Sequence, residues 1–106
     1  MNYTISQLKI FLKVVEYESI TKAAEALHLT QPAVSIQLKN LQKDFKFPLT
    51  EIINKKLYVT DFGREMAVAF DNIVNELETI KYKSAGYSTT YTGKRSEEHT
   101  SELQSL

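Results

Sequence analysis

The chain contains 106 residues, of which 42% are hydrophobic and 25% are charged; it has no cysteine and a formal net charge of zero. This length supports one small domain with an extension, and the lack of cysteine excludes disulfides and thiolate metal sites. No apolar run approaches the roughly 20 residues of a membrane span, so we expect a cytoplasmic protein without membrane contact.

The charged residues are unevenly distributed along the chain. Residues 1–60 contain eight lysines and five acidic residues, whereas the remainder contains five basic and eight acidic residues. A modest basic excess is compatible with nucleic-acid binding, but many solvated surfaces have the same composition. Charge alone therefore leaves the function open.

Two amphipathic helices are predicted first. One begins after a cap at Thr4 or Ser6, and the second, "SITKAAEAL", begins after a cap at Ser19. In the first helix the buried stripe is formed by Leu8, Phe11, Leu12 and Val15. In the second, Ala23 and Ala24 form a small face that allows another helix to approach closely.

A proline interrupts the next apolar pattern, in "AAEALHLTQPAVSIQLKNLQ". One continuous helix through Pro32 would cost about 3 kcal/mol. Thr30 is a good N-cap, however, and it places Pro32 in the first turn of a new helix, where the missing N–H costs nothing. The pattern therefore predicts a third helix over residues 31–45, with Val34, Leu38 and Leu41 facing inward.

Two helices joined by a short turn form a helix-turn-helix, whose second helix enters the DNA major groove. Gln31, Ser35 and Gln37 lie near the start of that helix. Their side chains can both donate and accept hydrogen bonds, as mixed base edges require. The alternative is that they form an ordinary solvated helix face.

A β-hairpin is predicted next, from the short runs "LTEII" and "KLYVT". Asn54 suits the tight turn between them. Lys55 and Lys56 at its tip could reach DNA phosphates, although lysine is also common in exposed turns. The hairpin would form a wing beside the helix-turn-helix.

A final long helix begins after a cap at Thr60, with Asp61 in its first turn. Its apolar residues follow a heptad pattern, which predicts a seam covered by a second copy of the helix. The seam consists of Met66, Phe70, Ile73, Leu77 and Ile80. Packing of this seam on its own domain is the alternative.

These residues are similar to a known family. The stretch "QLKIFLKVVEYESITKAAEALHLTQPAVSIQLKNLQKDFKFPL" resembles the N-terminal DNA-binding domain of LysR-type transcriptional regulators, and "KKLYVTDFG" resembles that family's wing and linker helix. The resemblance implies a mainly α fold: a winged helix-turn-helix of three helices plus a β-hairpin wing over residues 1–60, then a long linker and dimerisation helix over residues 61–83. It also implies binding of double-stranded DNA as a homodimer.

The resemblance carries over to particular positions. The implied recognition-helix contacts are Thr30, Gln31, Pro32, Ser35 and Gln37, with Lys55 and Lys56 in the wing. Ile36 and Ile52 stand where the family commonly has basic residues. We therefore expect phosphate contacts to fall to Lys39, with Lys43 and Arg64 as further candidates.

Regulators of this family continue into a domain that senses a small-molecule effector. The resemblance therefore implies a bacterial regulator that is truncated before this domain. Residues 84–106 lack apolar periodicity, and their "RSEEHTSELQS" resembles translated sequencing-adapter read-through. We expect this tail to be disordered and artefactual.

Two other functions are alternatives to DNA binding. His28 and His99 have no neighbouring pattern typical of a nucleophile or metal site, so we expect no enzyme, no cofactor and no metal. The stronger alternative is a winged-helix module that binds a protein partner without reading DNA. Such a module would more often expose large apolar residues on the third helix and wing.

Overall fold

The computed structural model describes residues 2–93 of the chain, and their side chains as far as residue 87. It contains α1 (Ile5–Tyr17), α2 (Ile20–Leu27), α3 (Gln31–Gln42), β1 (Thr50–Ile53), β2 (Lys56–Val59) and α4 (Asp61–Gly93). The chain divides within α4 into two compact units, one ending at Val74 and one beginning at Asn75. The first unit is a winged helix-turn-helix, which confirms the predicted fold class.

Side-chain caps begin the first two helices. The Thr4 hydroxyl accepts from the Gln7 N–H at 3.1 Å, and the Gln7 side chain accepts from the Thr4 N–H at 3.0 Å. This reciprocal capping box selects Thr4 over Ser6 as the start of α1. Ser19 caps α2 as predicted, since its hydroxyl accepts from the Lys22 N–H at 3.1 Å.

Pro32 lies in the first turn of α3, as the sequence predicts. The Thr30 hydroxyl accepts from the Ala33 N–H at 3.2 Å, so Thr30 is the N-cap. The preceding turn is sharp because His28 adopts a left-handed conformation with φ 59°. The helix ends at Gln42 rather than at residue 45, since the following amides turn back to the carbonyls of Leu41 and Gln42.

The core consists of two adjoining clusters of buried side chains. The first cluster contains Leu8, Phe11, Leu41, Leu49, Ala67 and Phe70. The second contains Ile10, Val14, Ala23, Ala24, Val34 and Leu57. Leu38 packs against both clusters and joins α3 to the rest of the domain. Ala23 and Ala24, which form the small face of α2, belong to the second cluster and are buried, as predicted.

The wing is an antiparallel hairpin in which Ile52 pairs with Leu57 and Ile53 pairs with Lys56. Its two turn residues, Asn54 and Lys55, have φ values of 52° and 66°. Positive φ at both central residues is typical of a type I′ turn, which matches the twist of the strands. Lys55 therefore lies in the turn, whereas Lys56 is the first residue of β2.

The hairpin is joined closely to the start of α4. The Thr60 hydroxyl donates to the Pro48 carbonyl at 2.6 Å and accepts from the Gly63 N–H at 2.8 Å. A Cβ on Gly63 would overlap the carbonyl oxygen of Leu49. Thr60 caps α4 as predicted, and the absence of a side chain at Gly63 lets the helix lie against the loop.

Two expectations for α4 are corrected. The predicted linker helix ends at residue 83, whereas α4 continues to Gly93, so residues 84–93 are helical in the structure. Extension of an existing helix adds one hydrogen bond per residue and needs no new nucleus. The rest of the tail, residues 94–106, lies outside the described residues. Phe70 is not an exposed seam residue, since only 3% of it is accessible and its ring packs edge-on against Phe11 at 5.8 Å.

Candidate nucleic-acid interface

The outer face of α3 is polar and basic around one apolar residue. Val34 and Leu41 are fully buried, so the opposite side of the helix points away from the core. This outer face carries Pro32, Ile36, Lys39, Asn40 and Lys43, all of which are exposed. A helix that is held by one face and free on the other can enter a groove of DNA.

The first turns of α3 contain a hydrogen-bonded polar pair. The Gln31 side-chain amide donates to the Ser35 hydroxyl at 3.0 Å. Gln31 is exposed and Ser35 is half-buried. The Thr30 hydroxyl is used in capping, so its contribution here is to fix the helix start. The structure thus brings Thr30, Gln31, Pro32 and Ser35 together at one end of α3.

Gln37 lies apart from this pair. Its side-chain oxygen accepts a hydrogen bond from the Gln7 amide at 3.0 Å, and its side chain is half-buried between α1 and α3. Gln7 is also the residue that completes the α1 capping box. This placement favours a role for Gln37 in positioning α3 on α1 over the predicted contact with bases.

Two grooves separate α3 from the wing. The first is lined by Gln31, Lys55 and Lys56 together with two residues of the α2 start, Ser19 and Thr21. Here the structure brings the predicted helix and wing residues to one surface. The sequence does not identify Ser19 and Thr21 as groove residues. Their pattern indicates a helix cap and a helix, and it contains no information on how close they lie to the wing.

The second groove lies further along α3. It is lined by Ser35, Lys39 and Lys46, with Thr50 and Ile52 from the hairpin side. Lys46 is exposed and adds a positive charge that the sequence analysis did not assign. Its only sequence signal is its place in the basic first half of the chain.

Lys56 is held on the other side of β2 from the core. Its ammonium nitrogen lies 5.9 Å from the centre of the Tyr58 ring, within cation–π range. Tyr58 is two residues away on the same strand, so both side chains lie on the outer face of the hairpin. Lys55, in the turn, is not fixed to this face.

Arg64 forms an exposed ion pair with another residue of the same domain. Its guanidinium donates to the Glu18 carboxylate at 2.6 Å across 46 positions of sequence. Glu18 also lines the first groove, beside Gln31 and Lys55. The ion pair neutralises an acidic group that would otherwise repel phosphate there, so the expectation that Arg64 itself contacts phosphate is not favoured.

Gln42 fixes the loop between α3 and the wing. Its side-chain nitrogen donates to the Phe47 carbonyl at 2.8 Å, and its side-chain oxygen accepts from the Leu49 N–H at 2.8 Å. Both ends of the amide are therefore used. This contact sets how far the hairpin lies from α3, and sequence reasoning missed it.

The predicted seam on α4 is split between core and solvent. Met66 is half-buried against the first core cluster, in addition to the buried Phe70. Ile73 is 42% exposed in the first unit. In the second unit Leu77 is half-buried and Ile80 is 58% exposed. Ile73 and Ile80 are therefore the exposed residues of the seam, Met66 and Leu77 are partly accessible, and Phe70 is buried.

The described residues hold few features of other function classes. Within residues 2–93, no three histidine, aspartate or glutamate side chains gather in a way that could hold a metal ion. In the same part of the chain no helix is both long and apolar enough to cross a membrane. His28 caps the end of α2.

Fold and surface together define a winged helix-turn-helix domain with a polar, lysine-flanked third helix. Residues 5–64 match the family model described as "Bacterial regulatory helix-turn-helix protein, lysR family". The chain therefore belongs to the LysR family of bacterial regulatory proteins.

Curated relatives agree with this assignment. The transcriptional activator CmpR of Synechocystis is 41% identical over 80 residues, covering 76% of this chain and 26% of the relative. A RuBisCO operon transcriptional regulator of Acidithiobacillus ferrooxidans is 44% identical over 75 residues, covering 71% of this chain and 24% of the relative. The chain thus spans about a quarter of the length of these proteins. They are transcriptional regulators, which agrees with the prediction that this chain is not an enzyme.

Solved structures confirm the fold. The BenM DNA-binding domain in complex with catB site 1 DNA has a TM-score of 0.77 and 24% identity, covering 82% of this chain and 98% of that chain. The CbnR DNA-binding domain in complex with DNA has a TM-score of 0.74 and 25% identity, covering 80% and 98%.

Proposed function

We propose that this chain is the DNA-binding part of a bacterial LysR-type regulator and reads double-stranded DNA through α3. The observation that carries the proposal is the hydrogen-bonded Gln31–Ser35 pair at the start of α3. Gln31 lines the first groove beside the wing, and Ser35 lines the second. The DNA complexes of its structural relatives support the same reading.

Affinity and sequence preference come from different groups in this proposal. Lys39, Lys46, Lys55 and Lys56 surround the polar pair and supply phosphate contacts, which give most of the affinity and a steep salt dependence. Gln31 and Ser35 provide hydrogen bonds to base edges and thus discrimination.

A salt series tests the DNA-binding step. The affinity of the full chain for a random duplex is measured by fluorescence anisotropy from low to physiological salt. Four phosphate contacts predict that log K falls against log salt with a slope of about −3.6 for each bound protomer. The absence of binding at low salt, with a helical circular-dichroism spectrum intact, would reject the proposal.

Dimerisation through α4 is the second part of the proposal. Ile73 and Ile80 are exposed apolar residues on this helix, and a second α4 would bury them. The test is sedimentation equilibrium of the full chain and of Ile73→Asp, which should shift the chain towards monomer. Val68→Asp is the control. Val68 is 65% exposed, but it lies about half a turn from the seam residue Phe70 on the same helix and therefore on a different face.

We propose the small-molecule effector site and the cytoplasmic location for the whole regulator, of which this chain would be the DNA-binding part. The small-molecule effector would bind outside the quarter of the relatives' length that this chain spans. Its identity, and the direction of regulation, are properties of that longer protein.

One observation favours the protein-interaction alternative. Ile52 of the wing is 61% exposed although it lies on the same hairpin face as the buried Leu57, as is expected of an apolar residue that a partner covers. Ile52→Lys separates the two functions. If the wing binds DNA, the variant should retain or gain affinity for a random duplex. If the wing docks a protein instead, neither the wild-type chain nor the variant should bind DNA.

A further inference from the structure

Ile36 occupies an unusual place on the candidate interface. It is 56% exposed and follows Ser35 directly, while Val34, two residues before it, is fully buried. Single exposed apolar residues are common on protein surfaces and carry no meaning alone. The position of Ile36 matters because it lies on the outer face of α3 between Pro32 and Asn40, one turn to either side.

The chemistry of Ile36 limits what it can contact in a DNA groove. Its side chain can neither donate nor accept a hydrogen bond, and it carries no charge for a phosphate. Among the four bases, the major-groove edge offers one projecting apolar group, the C5-methyl of thymine. An aliphatic side chain at the centre of the helix face is suited to that group alone.

The surroundings of Ile36 also favour this contact. Apart from Pro32, its neighbours on the outer face are polar or basic, so it does not extend into a broad apolar patch of the kind that a protein partner covers. The β-branched side chain has few rotamers on a helix, so little freedom is lost when a methyl group packs against it.

We propose that Ile36 is a specificity-determining residue that packs against a thymine methyl group in each half-site of the bound DNA. This inference rests on the proposed function, since it requires α3 to enter the major groove. It adds an apolar element to the readout supplied by Gln31 and Ser35. The preferred DNA should therefore contain a thymine at a fixed position next to the base pairs that those residues read.

Uracil tests the methyl group without changing any hydrogen-bonding edge. A preferred duplex is first obtained by selection from a random pool with the full chain, and each thymine is then replaced singly by uracil. At one thymine per half-site the wild-type chain should lose about three- to tenfold in affinity, the effect of one or two apolar carbon groups returned to water.

The variant Ile36→Ala completes the experiment. It should bind the thymine duplex about three- to tenfold more weakly than wild type and show no further loss with uracil. Ile53→Ala is the matched control, since Ile53 is also an isoleucine, 50% exposed, but lies on the outer face of the wing with Lys56. This control should retain the full sensitivity to uracil.

Three results would overturn the inference. Wild-type affinity could be unchanged by uracil at every position while the preferred duplex is still bound over random DNA, or Ile36→Ala could keep the sensitivity to uracil. In both cases the proposed function stands and the thymine contact is wrong. Failure to bind any duplex would instead remove the proposed function, and the inference with it.

Discussion

The side-chain amide of Gln31 donates a hydrogen bond to the hydroxyl of Ser35 at 3.0 Å, one turn further along α3. The bond orients the Gln31 amide before any ligand arrives, which reduces the conformational entropy that base recognition must overcome. Replacement of Gln31 is therefore the most informative single change at the candidate interface.

Gln31→Ala should weaken binding to a preferred duplex by about 1–3 kcal/mol more than binding to random DNA. The reason is the loss of a base-edge contact, with the phosphate contacts intact. Competition binding on the two duplexes measures the difference. Lys56→Ala is the control and should weaken both equally; equal losses for Gln31→Ala would remove it from base readout.

Lys55→Gly should separate stability from DNA affinity. Lys55 has φ 66°, a left-handed conformation that glycine adopts without strain. The substitution should therefore raise the free energy of unfolding by about 1 kcal/mol. It should also bind all DNA more weakly and reduce the salt slope by about 1, because a phosphate contact is lost.

The control for this change lies in the same turn. Asn54→Gly also replaces a left-handed residue, at φ 52°, but alters no charge. Chemical denaturation and the salt series are measured on both variants. If Asn54→Gly lowers the salt slope as much as Lys55→Gly, the effect comes from wing geometry and the charge of Lys55 is irrelevant.

Gly63→Ala should destabilise the domain by about 1–3 kcal/mol, because the new Cβ overlaps the Leu49 carbonyl oxygen and the backbone must move. Gly86→Ala is a matched control in the same helix, where an added Cβ meets no atom within 4 Å beyond its chain neighbours and the helix's own backbone. Thermal unfolding should show a lower midpoint for Gly63→Ala and an unchanged or higher midpoint for Gly86→Ala. Equal midpoints would contradict the close contact at the loop.

Glu18→Gln should increase affinity for all DNA. The substitution removes an acidic group from the first groove and releases the Arg64 guanidinium, now bonded to it at 2.6 Å. If Arg64 then contacts a phosphate, the salt slope steepens by about 0.9. The exposed pair should contribute at most about 1 kcal/mol to folding, so stability changes little.

Glu16→Gln provides the comparison for this variant. Glu16 also pairs with a cation, Lys13, at 3.1 Å, but it lines neither of the two grooves beside α3. Its affinity for random duplex should stay close to that of wild type. A similar gain in both variants would indicate a general effect of net charge.

Local signals were sufficient to predict most of the fold. Thr30 and Pro32 mark the start of α3 through capping chemistry that acts within four residues, and Ala23 and Ala24 indicate close helix packing through their size alone. The wing was predicted from Asn54 and two β-prone runs for the same reason: every determinant lies within a few positions.

The contacts that build the interface were not predictable in this way. The Gln7–Gln37 and Arg64–Glu18 bonds join residues 30 and 46 positions apart, and single-sequence patterns contain no information on such pairs. Phe70 matches a heptad seam and a domain core equally well, since both need an apolar residue there. Its burial became evident only from the packing of α1 against α4.

Selection of bound duplexes from a random pool, using the full chain, tests the central claim most directly. The account predicts enrichment of an inverted repeat whose half-sites lie about one helical turn or a multiple apart, with affinity that falls steeply as salt rises. Binding without enrichment of any sequence, or no binding by a folded chain, would contradict it.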